Sequence, residues 1–310
     1  MTDADALAAL RRIPGHEAAP DDTEIARLGG LTNRVYRIET ATGPVVLRLP
    51  GAGTEAYIDR TVEATNARAA ARAGVTPEVL HVDPASGVLL TRHVDGRTMT
   101  PELFRTIPGA PTRAAEAFRT LHRSGQRFEF RFELFAMIDD YLAVLDRLGA
   151  TPPPGFTQLL AEAQGMRALI AASPAELAPC HCDPLCENFI DTGSRMWLVD
   201  WEYSGMNDPL WDLADLSVEA GFGAGHDAEL LAAYLGAPAG LPVLARFSAY
   251  KALCDLLWSL WGLIQHANAN PADDFWAYAT GRLDRCRAQM RRHDAFFSEP
   301  ASGLDAADRI

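Results

Sequence analysis

Hydrophobic and polar residues alternate with a period of two in several short stretches near the start of the chain. Residues 33–39 alternate in this way, and the apolar run 45–49 follows after the turn sequence Thr42-Gly43-Pro44. Short runs of this kind, separated by turn residues, predict antiparallel strands. Further strands are predicted at 79–82 and 88–90, on either side of a second turn.

A helical pattern interrupts these strands. Thr54 is a suitable N-cap for a helix that reaches about residue 73, where Gly74 and the following Pro77 predict its end. Residues 1–20 resemble another helix followed by a proline- and acid-rich link. The first part of the chain is therefore expected to form a small antiparallel sheet that carries a helix.

Beyond residue 94 the hydrophobic period becomes that of helices. We predict them at 112–124, 133–147, 156–172, 209–220, 227–235, 241–267 and 272–293. Two short apolar runs, 189–190 and 197–199, predict a hairpin inside this region. The fold class is α+β, with a sheet lobe and its hinge at 1–94, a helical lobe at 95–297 and a polar tail at 298–310.

The composition narrows the possible partners. Lys and Arg total 28 against 41 Asp and Glu, and the net charge of -13 disfavours nucleic acid and favours a small cation. No apolar run is long enough to predict insertion into a membrane, and the acidic N-terminus lacks the pattern of a secretory signal. The five cysteines are expected to be free thiols in a cytoplasmic protein.

The most informative segment combines an Asp, an Asn and a second Asp. Asp183 is followed five positions later by Asn188, and Asp200 stands after the second run of the predicted hairpin. Phosphoryl transfer uses these residue types: one carboxylate orients the acceptor hydroxyl and takes its proton, while an amide oxygen and a second carboxylate bind Mg²⁺. The alternative is a loop in which these residues only cap turns.

The same segment contains possible zinc ligands at Cys180, His181, Cys182 and Cys186. Zinc sites usually combine one closely spaced pair with a second pair farther along the chain. No second pair follows at a suitable distance, so zinc is disfavoured. His181 is expected to pack under the loop as a structural residue.

This segment resembles the catalytic loop and metal-binding segment of the protein-kinase-like phosphotransferases, which include aminoglycoside phosphotransferases and choline/ethanolamine kinases. Residues 200–213 resemble the choline kinase pattern D-[FW]-E-Y-x-x-x-N-x-x-x-[FW]-D-[IL]. The resemblance covers about residues 25–290 and implies a protein-kinase-like two-lobed fold. Trp201-Glu202 replaces the Phe-Gly of protein kinases, and no A-P-E landmark follows, which disfavours protein substrates.

The resemblance also implies a nucleotide site in the sheet lobe. Arg48 stands in an apolar strand where choline kinases use Arg for the ATP phosphates, and Glu63 is its expected partner. The alternative is an edge-strand Arg that faces water. The other residues expected near the nucleotide are Gly30, Thr32 and Asn33 in a glycine-rich turn, with Arg92 and Val94 at the hinge.

Aromatic residues on the late helices suggest the acceptor site. Trp258 and Trp261 are three positions apart and share a helix face, and choline kinases resemble this, with a later Tyr that Tyr278 matches. A quaternary ammonium is held by ring faces and nearby carboxylates. Tyr203, Glu219 and Asp183 would complete the site. The alternative is that the tryptophans are ordinary core residues.

The sequence therefore predicts an ATP- and Mg²⁺-dependent kinase that phosphorylates the hydroxyl of choline or ethanolamine. Asp183, Arg48 and Glu63 are the expected catalytic group, and Asn188 and Asp200 the expected metal ligands. Asp212 is expected to be structural and to accept backbone N–H groups of the loop. Two alternatives are an aminoglycoside or other amino-alcohol kinase, and a nucleotide-binding protein without activity.

Overall fold

The computed structural model describes residues 3–28, 33–51 and 58–298. Its N-terminal part contains a five-stranded antiparallel sheet with the strand order β1-β2-β3-β5-β4. These strands are β1 (Ile25–Arg27), β2 (Arg34–Ile38), β3 (Val45–Leu49), β4 (Val79–Asp83) and β5 (Val88–Arg92). The four predicted strands are confirmed, and β1 is an additional strand that the sequence did not predict.

The alternation of apolar and polar residues along the strands explains which face of the sheet is covered by a helix. Tyr36 and Ile38 on β2 and Val45 and Leu47 on β3 are buried in a small cluster with side chains of the N-terminal helix. This helix, α1 (Asp3–Leu10), confirms the helix expected within residues 1–20. Because β3 is the central strand, a side chain on it is shielded by strands on both sides.

Helix α2 (Arg60–Arg72) begins later than predicted. Its N-cap is Asp59, whose carboxylate accepts the N–H groups of Thr61 and Val62 at 2.9 and 3.2 Å. Thr54, the expected cap, lies outside the described residues. The C-terminal half of α2 packs into the core of the helical lobe through Ala67, Ala69 and Ala70.

The helical lobe contains α3 (Pro101–Thr106), α4 (Ala110–His122), α5 (Leu134–Arg147), α6 (Phe156–Ala171), α7 (Pro209–Glu219), α8 (Ala224–Leu235), α9 (Leu241–Ala267) and α10 (Phe275–Ser298). Helix α9 is buried along most of its length and packs against α5, α7 and α10. The predicted helices are confirmed, although α10 continues to Ser298, and α3 was not predicted.

Short strands connect distant parts of this lobe. The predicted hairpin is present as β8 (Phe189–Asp191) and β9 (Met196–Leu198), and β6 (Arg97–Thr98) joins β8. A separate antiparallel pair is formed by β7 (Ala178–Cys180) and β10 (Gly205–Asn207). This pair brings the segment before Asp183 close to the segment after Asp200.

The connection between the lobes was expected at residues 91–94, and it begins two residues later than that. Thr91 and Arg92 belong to β5, and the link begins at His93. The Arg92 side chain donates to the Thr42 carbonyl at 3.0 Å, so it lies against the sheet lobe. The link ends at Gly96. A Cβ atom at this position would lie 2.6 Å from Ile190 Cγ2, so only glycine fits there.

Among the described residues, the longest helices are too polar to span a membrane.

Candidate active site

The β8–β9 hairpin brings Asn188 and Asp200 to the same end. Phe189 pairs with Leu198, and the N–H of Val199 donates to the Asn188 carbonyl at 2.9 Å. Asn188 directly precedes Phe189, and Asp200 lies two residues after Leu198, so both residues stand at the same end of the hairpin. The Asn188 side chain donates from Nδ2 to the Asp183 carbonyl at 3.1 Å, which ties the preceding loop to the hairpin.

Asp212 fixes the backbone of this loop. Its carboxylate is fully buried and accepts the N–H groups of His181 and Cys182, each at 2.8 Å. The Trp211 indole donates to the Cys182 carbonyl at 3.0 Å. Cys182 has a φ of 68°, which lies in the left-handed region. This conformation costs about 1–3 kcal/mol for a residue other than glycine. The bonds from α7 hold the residue before Asp183 in this conformation.

The His181 ring lies under the loop. It is fully buried, its Nε2 lies 2.9 Å from the Val199 carbonyl, and its ring is 4.9 Å from that of Trp201. Burial lowers the pKa of His181, so the imidazole is neutral at pH 7. A neutral ring that donates to a carbonyl connects the loop to the end of β9.

Asp183 is surrounded by other acidic groups. Burial is the largest cause that raises the pKa of Asp183 well above its ordinary value, and Glu219, Glu202 and Asp200 raise it further. Arg282 is the positive group that opposes them. A carboxylate with a raised pKa is a stronger proton acceptor than an exposed one.

Arg48 points from the central strand of the sheet into the cleft between the lobes. Its guanidinium forms an ion pair with Glu63 on α2, and its Nη1 lies 3.0 Å from Asp200 Oδ1. Burial opposes the charge, but Asp200 and Glu63 together raise the pKa of Arg48. Arg48 is 6% exposed, so the alternative of an edge-strand Arg facing water is wrong.

Glu202 is a member of this group that the sequence analysis did not assign. Its Oε2 accepts from Asn33 Nδ2 at 3.1 Å and from Arg60 Nη1 at 3.4 Å. Burial and the neighbouring Asp200 raise the pKa of Glu202 to about 7. Asn33 is thereby linked to the helical lobe, while Gly30 and Thr32 of the same predicted turn lie outside the described residues.

The oxygen donors in the cleft fit a hard divalent cation. Carboxylate oxygens of Glu63, Asp200 and Glu202 lie within 4.8 Å of one another. Asn188 uses its amide nitrogen on the Asp183 carbonyl, which leaves the amide oxygen for another partner. Oxygen donors of this kind suit Mg²⁺ better than zinc.

The predicted aromatic residues form two ring pairs along α9. Tyr203 lies against Trp258 with ring centroids 5.5 Å apart, and Trp261 lies against Tyr278 at 5.8 Å. Trp258 is buried and Trp261 is half-buried. A Cβ built at Gly262 would lie 2.6 Å from Tyr278 Cδ1, so glycine at this position allows the Tyr278 ring to contact α9.

Two carboxyl groups lie beside these rings. A carboxylate oxygen of Glu219, at the end of α7, lies within 4.8 Å of one from Asp215. Cys254 on α9 donates from Sγ to Asp215 Oδ1 at 3.1 Å. Burial and the nearby Glu219 raise the pKa of Asp215 well above its ordinary value. Glu219 itself accepts from Arg282 Nη2 at 2.7 Å.

We refer to Tyr203, Glu219, Trp258, Trp261 and Tyr278 as the acceptor cluster. These five residues lie on α7, α9 and α10 and in the segment after Asp200. Trp258 is part of the large hydrophobic core, and Tyr203 and Trp261 pack against that core. Val94 is half-buried in the connection between the lobes.

The chain matches known phosphotransferases over most of its length. Residues 23–250 match the model of the phosphotransferase enzyme family. A crystal structure of a choline/ethanolamine kinase family protein from Mesorhizobium loti has 57% identity and a TM-score of 0.88, over 95% of this chain and 98% of that one. The chain belongs to the choline/ethanolamine kinase family of phosphotransferases.

Two further solved structures are similar to this phosphotransferase. The choline kinase LicA from Streptococcus pneumoniae has 26% identity and a TM-score of 0.73, over 86% of this chain and 93% of that one. A structure of LicA in complex with AMP has 25% identity and a TM-score of 0.71, over 89% and 95%. The predicted family and the kinase-like two-lobed fold are confirmed.

Four residues that lie next to the proposed catalytic and acceptor groups were not predicted from the sequence. They are Glu202, Asp215, Gly262 and Arg282. Glu202 belongs to the quoted motif, so its position two residues after Asp200 was an available signal. The other three lie on helices, and the packing of these helices against one another determines what each residue contacts. Their spacing in the sequence alone does not predict these contacts.

Proposed function

We propose that this phosphotransferase transfers the γ-phosphoryl group of ATP to the hydroxyl of choline or ethanolamine and releases ADP. The observation that carries the proposal is the convergence of Asp183, Asn188 and Asp200 at one end of a hairpin, opposite Arg48. The similar proteins whose names include choline or ethanolamine kinase support the same acceptor class.

Asp183 is the proposed general base. Its backbone is fixed through Cys182 and Asn188, so its carboxylate has a defined place at the end of the loop. In this role it accepts a hydrogen bond from the acceptor hydroxyl and takes the proton as the oxygen attacks phosphorus. The raised pKa of Asp183 suits this task.

Asn188 and Asp200 are the proposed Mg²⁺ ligands. A bound Mg²⁺ would neutralise charge on the ATP phosphates. Asp200 has a φ of 67°, and Arg48 holds one of its carboxylate oxygens. Together these features orient the second oxygen for a ligand. His181 and Asp212 have proposed structural roles, because they hold the loop and the hairpin end.

Arg48 is proposed to bind the ATP phosphates while Glu63 fixes its direction. A guanidinium offers several donors in one plane, which suits phosphate oxygens. Asn33 would stand at the edge of the nucleotide site, since it links the sheet lobe to Glu202. Gly30, Thr32, Arg92 and Val94 remain proposed nucleotide neighbours. An ATP-dependent activity and five free thiols also support the cytoplasm as the place where the protein acts.

The acceptor cluster is proposed to hold the substrate ammonium. Ring faces attract a quaternary ammonium with about 0.5–2 kcal/mol for each favourable contact, and a carboxylate adds charge complementarity. A primary ammonium, as in ethanolamine, would also donate a hydrogen bond to Glu219. Glu219 of this cluster is close enough to raise the pKa of Asp183, which supports an acceptor site next to the proposed base, as a short amino alcohol requires.

A panel of acceptors tests this proposal. Purified protein is incubated with ATP, Mg²⁺ and choline, ethanolamine, serine, glycerol or kanamycin, and ADP release is measured. Turnover with choline or ethanolamine well above the other acceptors is expected. Preferred turnover with kanamycin would support the aminoglycoside alternative, and tight ATP binding without turnover on any acceptor would support a protein without activity.

A further inference from the structure

Arg282 places a positive charge inside the acceptor cluster. Its Nη2 lies 2.7 Å from Glu219 Oε1, and its Cζ lies 4.8 Å from the centroid of the Tyr278 ring. The residue is only 4% exposed. A carboxylate and a ring face are the two kinds of group that bind an alkylammonium ion, and here both are in contact with a guanidinium of the protein itself.

We propose that Arg282 is a resident cation that competes with the substrate ammonium for Glu219 and Tyr278. The proposal rests on the proposed function, because it concerns the same acceptor site. Binding of a cationic alcohol would displace the guanidinium from these two groups. Arg282 thereby sets how strongly, and how selectively, the site binds its acceptor.

Asp255 gives Arg282 a second partner. The Asp255 carboxylate is fully buried on α9 and accepts from Arg282 Nη1 at 3.3 Å. It also accepts from Arg285 Nη2 at 2.7 Å and from Gln289 Nε2 at 3.2 Å. A buried charge must keep a partner. Arg282 can therefore release Glu219 while it stays paired, and Asp255 stays satisfied throughout.

A cavity gives the guanidinium space to move. It has a volume of about 410 Å³, lies between α3, α7 and α10, and is lined by Glu219, Tyr278 and Arg282 among others. A guanidinium is small compared with this space.

Competition by a resident cation gives selectivity. A hydrated inorganic cation keeps its water shell and gains no apolar contact with the ring of Tyr278, so it competes less well with the guanidinium than an alkylammonium ion does. A cation with alkyl groups gains contact with Trp258 and Trp261 as well. The site would therefore favour a small organic ammonium over Na⁺ and K⁺.

Calorimetric binding to the full chain tests the proposal without turnover. Arg282→Gln should bind choline about tenfold more tightly than the wild type, because a like charge next to the ammonium is removed. Binding of 3,3-dimethylbutan-1-ol, the uncharged analogue of choline, should change less than twofold. Arg291→Gln is the matched control, since it removes the same charge from an exposed position of α10 nine residues away.

Weaker choline binding by Arg282→Gln would overturn the proposal, because it would mean that the guanidinium only holds Glu219 in place. Equal gains for choline and the uncharged analogue would also overturn it. A structure of the wild type with choline provides a measurement that needs no variant. The distance between Arg282 Nη2 and Glu219 Oε1 should exceed 3.5 Å there, and an unchanged 2.7 Å contact would contradict displacement.

The two proposals fail in different ways. If choline binds, and binds more tightly to Arg282→Gln, but no phosphoryl group is transferred, the proposed function fails and the role of Arg282 stands. If choline is phosphorylated but Arg282→Gln binds it no more tightly, only the role of Arg282 fails. If neither choline nor ethanolamine binds to either protein, both fail.

Discussion

Arg48 and Asp200 are 152 positions apart in the chain, yet Arg48 Nη1 lies 3.0 Å from Asp200 Oδ1. The contact crosses the cleft and joins the central strand of the sheet to the end of the β8–β9 hairpin. It also places the side chain proposed to bind the ATP phosphates next to a proposed metal ligand. The two groups on which ATP binding would depend are therefore held together before ATP arrives.

Replacing Arg48 should weaken the binding of ATP and leave the binding of the acceptor unchanged. We expect Arg48→Gln to raise the KM for ATP about tenfold or more, since a hydrogen bond to a charged group contributes about 1.5–3 kcal/mol, while the KM for choline changes less than twofold. Steady-state kinetics with each substrate varied in turn measure this. Arg37→Gln on β2, whose side chain pairs with Glu39, is the control. Equal rises in both KM values would argue against a phosphate role.

Asp183→Asn should remove the base and leave binding intact. The carboxamide keeps the shape but cannot take the hydroxyl proton, so we expect kcat to fall by roughly 10²–10⁴-fold. ATP affinity, measured by calorimetry, should stay within about twofold. Glu187→Gln, an exposed acidic residue on the neighbouring turn, should behave like the wild type. Retention of more than a tenth of kcat by Asp183→Asn would exclude Asp183 as the base.

Trp261→Ala distinguishes an acceptor cage from ordinary core. We expect the KM for choline to rise about tenfold while the KM for ATP stays constant, because loss of a ring face removes one cation contact. Trp276→Ala, which removes an exposed tryptophan of α10, should change neither value. If the KM for ATP and the melting temperature suffer as much as choline binding, Trp261 is a core residue.

Gly262→Ala should displace the Tyr278 ring. The added methyl would lie 2.6 Å from Tyr278 Cδ1, so the ring or the helix must move. We expect a lower melting temperature and a raised KM for choline, with the KM for ATP unchanged. Gly165→Ala, in α6 with open space around it, should instead be neutral or slightly stabilising. The same result for both variants would contradict a specific contact with Tyr278.

His181 should make the fold less stable in acid. Its pKa is lowered by burial, so the unfolded chain binds a proton at a higher pH than the folded chain does. Stability is therefore fully present above about pH 6.5 and is lost as the pH falls below it. Thermal unfolding at pH 7.5 and 5.5 measures this loss, which should be smaller for His181→Gln than for the wild type. An identical loss in both proteins would mean that other groups cause it.

The pattern of apolar and polar residues predicted those helices and strands whose buried face is determined by neighbouring residues in the sequence. Strand β3 and the hairpin containing β8 and β9 are clear examples, because alternation and turn residues lie within a few positions. Helix α7 was predicted by its apolar period and the proline at its start. The motif then predicted that Asp183, Asn188 and Asp200 would come together.

Other features depend on contacts between distant parts of the chain. The pairing of β7 with β10 joins Cys180 to Gly205, and neither three-residue strand has enough alternation to predict it. The position of Arg282 beside Glu219 follows from the packing of α10 on α9. A charged residue on a helix is usually exposed, so nothing in the sequence distinguished Arg282 from the exposed Arg285.

Helix α2 lies between strands β3 and β4 of the sheet in the sequence, but it is anchored to the helical lobe. Its C-terminal half lies in the large core, and Asn66 Nδ2 donates to the Ser204 carbonyl at 2.9 Å. If the cleft opens for nucleotide exchange, the sheet would pivot while α2 stays behind. The ion pair between Arg48 and Glu63 then marks the boundary between the moving and the stationary parts of the molecule.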